Sequence, residues 1–291
     1  MYDGPPYDPE HDSPRYNEPV SRVVMVRPDG FGFNPESAAT NTFAASGDAT
    51  HAHQEFEGLV RILREAGVTV DVLPGPDDAP DALFPNNWFS THGDTLILYP
   101  MASDSRQREI QPLPFRASTT HDLTAWRDKG WALEGTGSLV LDRERRIAFA
   151  AESPRTHPEA VRTWAELMGY EPVLFQTHER IYHTNVVMAV GREFAVVCSE
   201  AIVDPLPVLE ALEPKAILEI SRTQMGAFCG NVLELEEGIA MSQAAWEGFT
   251  PDQQDQLKAY GKPLIADVTT IERVGGGSVR CMIAELFGYP V

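Results

Sequence analysis

One supersecondary unit recurs five times along this chain. In each copy an apolar helical stripe ends at a glycine or proline, a strand follows, and a polar turn then opens a pair of short strands. A unit of this size cannot bury its own apolar face, so five copies in one chain favour closure into a ring around a shared core. The five helix-ending residues lie 63, 39, 45 and 47 residues apart and are Gly67, Gly130, Gly169, Pro214 and Gly261.

The first and last copies show the pattern most clearly. The spacing of Phe56, Leu59 and Leu63 predicts a helix, and the alternation over 68–72 predicts a strand. In the last copy a helix over 252–260 and a strand over 264–268 precede a glycine-rich turn and a further predicted strand over 279–286, and the third copy carries a predicted strand over 186–190. If the copies form a ring, the turns that open the hairpins converge on its axis. The polar residues that this places together are Asn87, Glu134, His183, Asn231 and Cys281.

Cys281 follows three consecutive glycines, which permit backbone conformations that a Cβ forbids. We expect this turn to present the thiol at the mouth of a strand, with Arg280 beside it. A lone cysteine is otherwise a small core hydrophobe. As a nucleophile it needs activation, because a reference pKa of ~8.5 leaves little thiolate at neutral pH. His183 can move the proton and Glu134 can orient the imidazole. Taken alone, His183 is equally a packed core residue, and Glu134 a residue that bonds local backbone amides.

Arginines and asparagines elsewhere in the turns are candidates for holding a substrate. Arg155 stands between small hydroxyl residues, which suits bidentate capture of a carboxylate, although an exposed loop arginine is the alternative. Arg106 and Arg108 are candidates for the same role. Asn34 and Asn41 can bind an α-amino group or simply form turns.

Charge and composition exclude several classes of function. The net charge of −20, from 23 basic and 43 acidic residues, argues against a nucleic-acid or anionic-membrane partner. No apolar run approaches the ~18 residues of a membrane span. Residues 1–19 have no signal-peptide pattern and are predicted to be disordered, and the three cysteines include no close-spaced pair, so we expect a cytoplasmic protein. His51 and His53 lack an accompanying acidic or thiol ligand, so neither a metal nor another cofactor is expected.

The motifs together resemble a known superfamily over residues 20–291. Glu134–Gly137 (EGTG), Tyr182–Asn185 (YHTN) and Gly275–Cys281 (GGGSVRC) are similar to motifs of the guanidino-group-modifying enzymes, the pentein β/α-propellers of arginine deiminases, dimethylarginine hydrolases and amidinotransferases. A wider set of seven sequence motifs looks most like the motifs of the citrulline-utilisation hydrolases. It consists of MVRP (25–28), FPNNWFSTH (84–92), LYPM (98–101), LEGTGSLVLD (133–142), SPRT (153–156), YHTNVVM (182–188) and GGGSVRCM (275–282).

The resemblance implies an α/β fold, a pentein β/α-propeller of five pseudo-symmetric ββαβ-type modules around a central site, as a single catalytic domain over 20–291. It implies that Cys281 is the nucleophile, His183 the general acid/base, and Glu134 both its partner and a substrate contact. Arg155 falls where arginine deiminases hold the substrate carboxylate. The full set of substrate-binding candidates is Asn87, Asn185, Arg155, Asn86, Asn34, Arg106 and Ser278.

Three positions depart from the arginine-deiminase pattern. Asn87 and Asn185 stand where those enzymes carry the aspartates of F-x-R-D and H-x-D runs, and Gly137 replaces the acid of EGGD. A buried guanidinium without acidic partners is costly, whereas a neutral ureido group needs none. We therefore expect a cysteine hydrolase that converts citrulline to ornithine, ammonia and carbon dioxide through a covalent thiocarbamate.

Other functions stay open at this stage. They are an arginine-deiminase-like or dimethylarginine-type hydrolase, an amidinotransferase, and a non-catalytic amino-acid-binding module. In each case the expected partner is a small amino acid, and a homo-oligomer is among the alternatives for the assembly.

Overall fold

Five three-stranded sheets follow one another along the chain in the computed structural model, which describes residues 20–179 and 181–288. The predicted disorder of residues 1–19 lies outside the described residues. The strands are β1 (Arg22–Val26), β2 (Thr69–Leu73), β3 (Phe89–His92), β4 (Thr95–Leu98), β5 (Thr119–Asp122), β6 (Val140–Asp142), β7 (Ile147–Ala151), β8 (Glu171–Phe175), β9 (Met188–Val190), β10 (Phe194–Val197), β11 (Ala216–Glu219), β12 (Leu233–Leu235), β13 (Gly238–Ser242), β14 (Pro263–Ala266) and β15 (Ala284–Glu285).

All five sheets share one topology, which defines a blade. A first strand pairs antiparallel with a central strand, and the central strand pairs parallel with a third strand reached through a longer connection. Four blades are formed by consecutive strands from β3 to β14, whereas the remaining blade joins β15 to β1 and β2. The ring therefore closes through the pairing of Val23 with Glu285 and of Val24 with Ala284. The five-module prediction is confirmed.

Helices cover the connections between the blade strands. They are α1 (Pro35–Ala38), α2 (Ala52–Ala66), α3 (Gly135–Ser138), α4 (Pro158–Met168), α5 (Thr184–Val187), α6 (Leu206–Leu212), α7 (Arg222–Gly226), α8 (Gln243–Gly248), α9 (Pro251–Tyr260) and α10 (Thr269–Gly275). Short 3-10 helices lie at Pro85–Asn87, Ser105–Glu109, Thr124–Lys129, Ser199–Ala201 and Val279–Met282.

Helix α2 shows why the apolar periodicity was informative. Phe56, Leu59 and Leu63 are all buried on one face of the helix. Gly67 ends the helix with φ of +110°, a left-handed conformation in which a Cβ is strained. The predicted helix and strand of this copy are therefore confirmed. In the described part of the chain, no helix is both long and apolar enough to cross a membrane.

Two predicted strands are wrong near the ring centre. Residues 186–187, predicted as the start of the strand over 186–190, belong to the short helix α5, and β9 begins only at Met188. Residues 279–282, predicted as strand, form a 3-10 turn in which Cys281 N donates to Ser278 O over 2.9 Å, and β15 keeps only two residues. The tight turns at the ring centre override the strand preference of these valines. Cys281 therefore projects from a helical turn and not from a strand mouth.

A turn with polar residues comes directly before the first strand of each blade. These turns are the 3-10 helix at Pro85–Asn87, α3, α5, the segment that contains Asn231, and the 3-10 helix at Val279–Met282. The turns therefore converge in the structure, as predicted.

Candidate active site

The carboxylate of Glu134 lies at the centre of the converging turns and is fully buried. Its Oε2 accepts from His183 Nε2 at 2.8 Å, from Arg106 Nη1 at 3.3 Å and from Arg155 Nη1 at 3.5 Å. Its Oε1 accepts from the backbone N–H of Ala102 at 3.0 Å. Both oxygens are therefore engaged by protein donors, and Glu134 lies behind His183, apart from the cavity lining. Its predicted role as a direct substrate contact finds no support in this arrangement.

Burial and charge set the protonation of the His183–Glu134 pair. Burial alone would raise the pKa of Glu134, but the charge of Arg155, the hydrogen bond from His183 and the charge of Arg106 outweigh it and hold this pKa well below its usual range. Burial lowers the pKa of His183 to about 4, despite the opposing hydrogen bond and charge of Glu134. At neutral pH the pair therefore consists of a neutral imidazole and a carboxylate.

The ring of His183 is oriented by this contact. Because Nε2 bonds Glu134, Nδ1 is the nitrogen left for chemistry, and no residue in 20–179 or 181–288 hydrogen-bonds it. Gly137 packs directly against the ring, since a Cβ at that position would lie 2.7 Å from Nδ1 and 2.5 Å from Asn87 Nδ2. A side chain at position 137 would collide with both groups. The absence of an acid at Gly137 is thus a steric requirement of the site.

Two amide side chains contact the thiol of Cys281. Asn231 Nδ2 lies 3.4 Å and Asn185 Nδ2 3.6 Å from Sγ, and Cys281 itself is 2% exposed. Asn185 Nδ2 also donates to Thr136 O at 3.2 Å, and Asn231 Nδ2 to Asn185 O at 2.9 Å, so both amides are fixed in place. Arg280, the neighbour in sequence, turns away and pairs with Glu285 at 2.7 Å.

Arg106 is saturated by protein acceptors. Its Nε and Nη2 form a bidentate pair with Glu109 at 2.7 and 2.8 Å, Nη1 donates to Asn87 Oδ1 at 2.7 Å and to Glu134, and Nη2 also donates to Phe84 O at 3.4 Å. A guanidinium has five N–H donors, and all five are used here. Burial would lower the pKa of Arg106. The charges of Glu109 and Glu134 outweigh this effect and raise the pKa above its usual value. Arg106 therefore acts as a fixed cation that organises carboxylates.

Arg155 has N–H donors that bond no acceptor among the described residues. Its Nε donates to Thr40 Oγ1 at 2.9 Å and Nη2 to Ser37 O at 2.6 Å, while Nη1 makes the long contact with Glu134. One N–H on each of Nη1 and Nη2 is thus left over, on adjacent nitrogens of the same fork. The guanidinium also lies 5.0 Å from the centre of the Tyr182 ring. Arg155 is buried, which excludes the alternative of an exposed loop arginine.

A small cavity opens in front of Cys281. Its water-accessible volume is about 10 Å³, roughly the space that one water molecule needs. Cys281, His183, Asn87, Arg106 and Arg155 all line this cavity, which we call the front pocket.

Sequence reasoning missed two residues of the front pocket. Asp81 lines it and accepts from Asn34 Nδ2 at 2.9 Å and from Ser37 Oγ, yet nothing in the run around Asp81 marks it as a site residue. Tyr182 lines it as well, and its hydroxyl donates to Gly276 O. Tyr182 belongs to the YHTN motif, so the motif located it without assigning it a role.

Five of the residues that sequence analysis considered for substrate binding lie outside the front pocket, and one of them is Asn185, whose amide contacts Sγ of Cys281. Asn34 bonds Asp81, Ser37 and Ser105, and Asn86 bonds Thr136, so both support pocket residues from behind. Ser278 donates to Glu272 at 2.6 Å because it begins the 3-10 turn that carries Cys281. Arg108 is exposed and bonds Asp78 O. Among the described residues, no cluster of His, Cys, Asp and Glu is arranged to hold a metal ion.

Comparison with known proteins identifies the family. The sequence profile of N,N dimethylarginine dimethylhydrolase, eukaryotic, matches residues 27–288, and the chain therefore belongs to this family within the guanidino-modifying pentein superfamily. An uncharacterized protein of Bacillus subtilis (strain 168), YkgA, is 26% identical over 247 residues, which make up 81% of this chain and 80% of that protein.

Two solved structures confirm the pentein propeller fold. The arginine dihydrolase ArgZ from the ornithine–ammonia cycle in cyanobacteria, in its apo form, has a TM-score of 0.76 at 18% identity, and the match covers 93% of this chain but only 41% of that one. The dimethylarginine hydrolase DDAH from Pseudomonas aeruginosa, a cysteine-to-serine mutant complexed with citrulline, has a TM-score of 0.69 at 15% identity, with 92% and 99% coverage. The closer resemblance to citrulline-utilisation hydrolases stays a prediction.

The lowered pKa values predict a specific pH dependence of stability. Between the ordinary pKa of His183, 6.5, and its folded value of about 4, the unfolded chain binds a proton that the folded protein does not. The free energy of unfolding should therefore fall as pH drops through this window, and the depressed pKa of Glu134 adds to the loss at the acid end. In urea titrations, we expect His183→Gln to make the slope of the unfolding free energy against pH shallower between pH 6.5 and 4. The difference in slope should correspond to at most about one bound proton. His51→Gln, at an exposed histidine, serves as the control, and equal slopes in wild type and His183→Gln would contradict the assignment.

Proposed function

We propose that this protein is a cysteine hydrolase that cleaves the ureido group of citrulline to ornithine, ammonia and carbon dioxide. The supporting observation is the chemistry around Sγ, where the contacting side chains are the amides of Asn185 and Asn231 and not carboxylates. An amide offers both a donor and an acceptor, which suits the N–H groups and the carbonyl of a neutral urea. A guanidinium at the same place would be buried without an acidic partner in contact with Sγ, which is costly.

In the proposed first step the Cys281 thiol transfers its proton to Nδ1 of neutral His183, and the thiolate adds to the ureido carbon. The imidazolium that forms is stabilised by Glu134, which already bonds Nε2 at 2.8 Å. It then returns the proton to the terminal nitrogen, which leaves as ammonia, and a thiocarbamate remains on Cys281. The depressed pKa of His183 supports this order of events, because the resting imidazole is neutral and can accept a proton.

In the proposed second step His183 takes a proton from water, and the hydroxide adds to the thiocarbamate carbon. The carbon–sulfur bond breaks, Cys281 regains its thiol with the proton from His183, and ornithine carbamate is released. This carbamate then loses carbon dioxide to give ornithine. The same residues therefore serve both halves of the reaction.

The other end of the substrate is proposed to meet the charged wall of the front pocket. Arg155 has two spare N–H donors on one fork, which match a carboxylate. Asp81 lines the same pocket and is suited to the α-ammonium group. Arg106 has no donor left, so its role is to hold Glu134, Glu109 and Asn87.

Hydrolysis of N,N-dimethylarginine is the second candidate function. The family profile that matches residues 27–288 carries this activity in its description, and Asp81 places one carboxylate in the pocket that a cationic substrate can use. The structural neighbour ArgZ is described as an arginine dihydrolase, so arginine belongs in the same comparison.

The deciding experiment compares citrulline, arginine and N,N-dimethylarginine as substrates. We expect kcat/KM for citrulline to exceed the values for the other two substrates by roughly tenfold or more, which corresponds to a modest electrostatic preference of ~1.4 kcal/mol.

Turnover should disappear in Cys281→Ser, because a hydroxyl is far less ionised than a thiol. Cys229→Ser is the matched control, since that thiol is buried, bonds Ala245 O, and has a pKa raised to about 12 by burial. A preference for N,N-dimethylarginine would establish the second candidate, and full activity of Cys281→Ser would remove the proposed nucleophile.

Asn185→Asp should move specificity towards cations. A carboxylate at this position would lie beside Sγ, where it repels the thiolate but attracts a guanidinium with roughly 4 kcal/mol at ~4 Å and an effective dielectric of ~20. We expect the ratio of kcat/KM for arginine to that for citrulline to rise at least tenfold. Asn87→Asp is the control, because Oδ1 of Asn87 already faces Arg106 at 2.7 Å and a carboxylate there would be neutralised. An unchanged ratio in Asn185→Asp would count against the ureido assignment.

Arg155→Lys should raise KM for citrulline at least tenfold, because a point charge cannot reproduce the two parallel bonds of the fork. The kcat value should fall less than kcat/KM, since the change lies away from the reacting carbon. Decarboxylated citrulline, which has no group for the fork, should be a poor substrate of the wild type and should be little affected by the mutation. Equal losses for citrulline and its decarboxylated form would assign Arg155 a purely structural role.

A further inference from the structure

A second and larger cavity follows the axis of the ring behind Cys281. Its water-accessible volume is about 120 Å³, and residues of β6, β9, β12 and β15 line it. The lining continues to the far ends of these strands at Glu144, Arg192 and Phe287. The turns that carry Cys281 and His183 lie at the opposite ends of the same strands. This axial cavity therefore opens on the face of the ring opposite to the front pocket.

A thin partition separates the two cavities. Asn185 lines the axial cavity, and its Nδ2 lies 3.6 Å from Sγ of Cys281, which lines the front pocket. The backbone carbonyl of Thr136, another residue of the axial lining, accepts from the same amide group. One polar side chain thus stands between the thiol and the axial cavity.

The charges along the axial cavity compensate one another. Arg280 pairs with Glu285 at 2.7 Å, Lys215 with Asp142 at 3.1 Å, and Arg192 with Glu234 at 2.8 Å. Counting Arg143 and Glu144, the lining has four cationic and four anionic side chains. A wall with paired charges has no net field that collects ions, but it offers many polar atoms to a neutral molecule such as water.

The front pocket cannot easily admit water during the second half of the proposed reaction. Its water-accessible volume is only about 10 Å³, and at that stage the substrate chain is covalently attached to Cys281 on this side. The segment around α1 also covers the pocket, since Arg155 bonds Ser37 O and Thr40, and Asn41 Nδ2 bonds Gly275 O and Gly276 O at 3.2 Å. Water from the front would therefore need this segment to move in every turnover.

We propose that the axial cavity supplies the hydrolytic water, which passes Asn185 to reach the adduct on Cys281; this inference rests on the proposed function. The water adds to the thiocarbamate carbon in the space vacated by ammonia and gives one proton to His183. The carbon–sulfur bond then breaks, and the sulfur takes that proton back. The front of the site stays closed around the amino-acid chain throughout.

Ala189 provides the test. It lies on β9 just after the turn that carries Asn185, lines the axial cavity and is 8% exposed. We would compare Ala189→Val, Ala189→Leu and Ala189→Phe, which narrow the cavity in steps, with Ala189→Ser, which keeps it open. Ala216→Phe is a second control, because it adds the same bulk to an exposed position on the outer strand of the same blade.

Narrowing the cavity should slow only the release of the adduct. We expect kcat for citrulline to fall progressively, to one tenth or less in Ala189→Phe, with KM falling in parallel so that kcat/KM is unchanged. Acid-quenched samples should show the thiocarbamate adduct accumulating by intact-protein mass spectrometry. Ala189→Ser and Ala216→Phe should behave as wild type. Because valine adds only two methyl groups, kcat and adduct accumulation can still be measured in Ala189→Val if the larger substitutions prevent folding.

Two results would overturn the proposal. One is wild-type kcat without adduct in any folded, narrowed variant. The other is a fall in kcat/KM without adduct, which would show that the substitution disturbs the attack of Cys281 and not the supply of water. Failure of the proposed function itself looks different, since the wild type would then turn over citrulline poorly or not at all before any Ala189 variant is compared.

Discussion

The buried carboxylate of Glu134 is the interaction on which the rest of this structure depends. An isolated carboxylate in such a place would be very unfavourable, so its burial requires the donors of His183, Arg106 and Arg155 to reach it from other parts of the ring. Each of these donors is then fixed for a second task. His183 presents Nδ1 to the pocket, Arg106 holds Asn87 and Glu109, and Arg155 keeps part of its fork for a ligand. The electrostatic requirement of one buried acid thus positions most of the candidate site.

The site divides into a charged wall and a neutral wall. Arg106, Arg155 and Asp81 form the charged side of the front pocket, whereas amides surround the sulfur of Cys281. Under the proposed function, this division separates recognition of the amino-acid end of the substrate from chemistry at its far end.

The sequence predicted the architecture of the protein more fully than the details of its site. Periodicity and helix-ending glycines such as Gly67 encode local geometry, so the five blades and the convergence of Glu134, His183 and Cys281 were predictable. Asp81 was not, because an aspartate among apolar residues has no local signature and its role comes from contacts across the ring. The strand predictions for residues 186–187 and 279–282 are wrong for the same reason: their valines favour strands, but the crowded ring centre imposes helical turns. The redirection of Arg280 towards Glu285 is likewise a product of tertiary contacts.

The closure of the ring between β15 and β1 has a consequence for how the protein loses activity. Partners in the site are far apart in sequence, with Cys281 contacting side chains 96 and 50 positions away, and Glu134 bonding one 49 positions away. Every blade contributes at least one turn to the centre, and the β15 segment is held by two residue pairs with β1, by the bond from Leu286 N to Arg22 O, and by Thr91, which bonds both Glu285 O and Phe287 N. Transient opening of any one blade therefore dismantles the centre while the other four remain folded. Inactivation in such a ring is governed by its least stable blade, and catalytic activity is a more sensitive reporter of local opening than any measure of overall secondary structure.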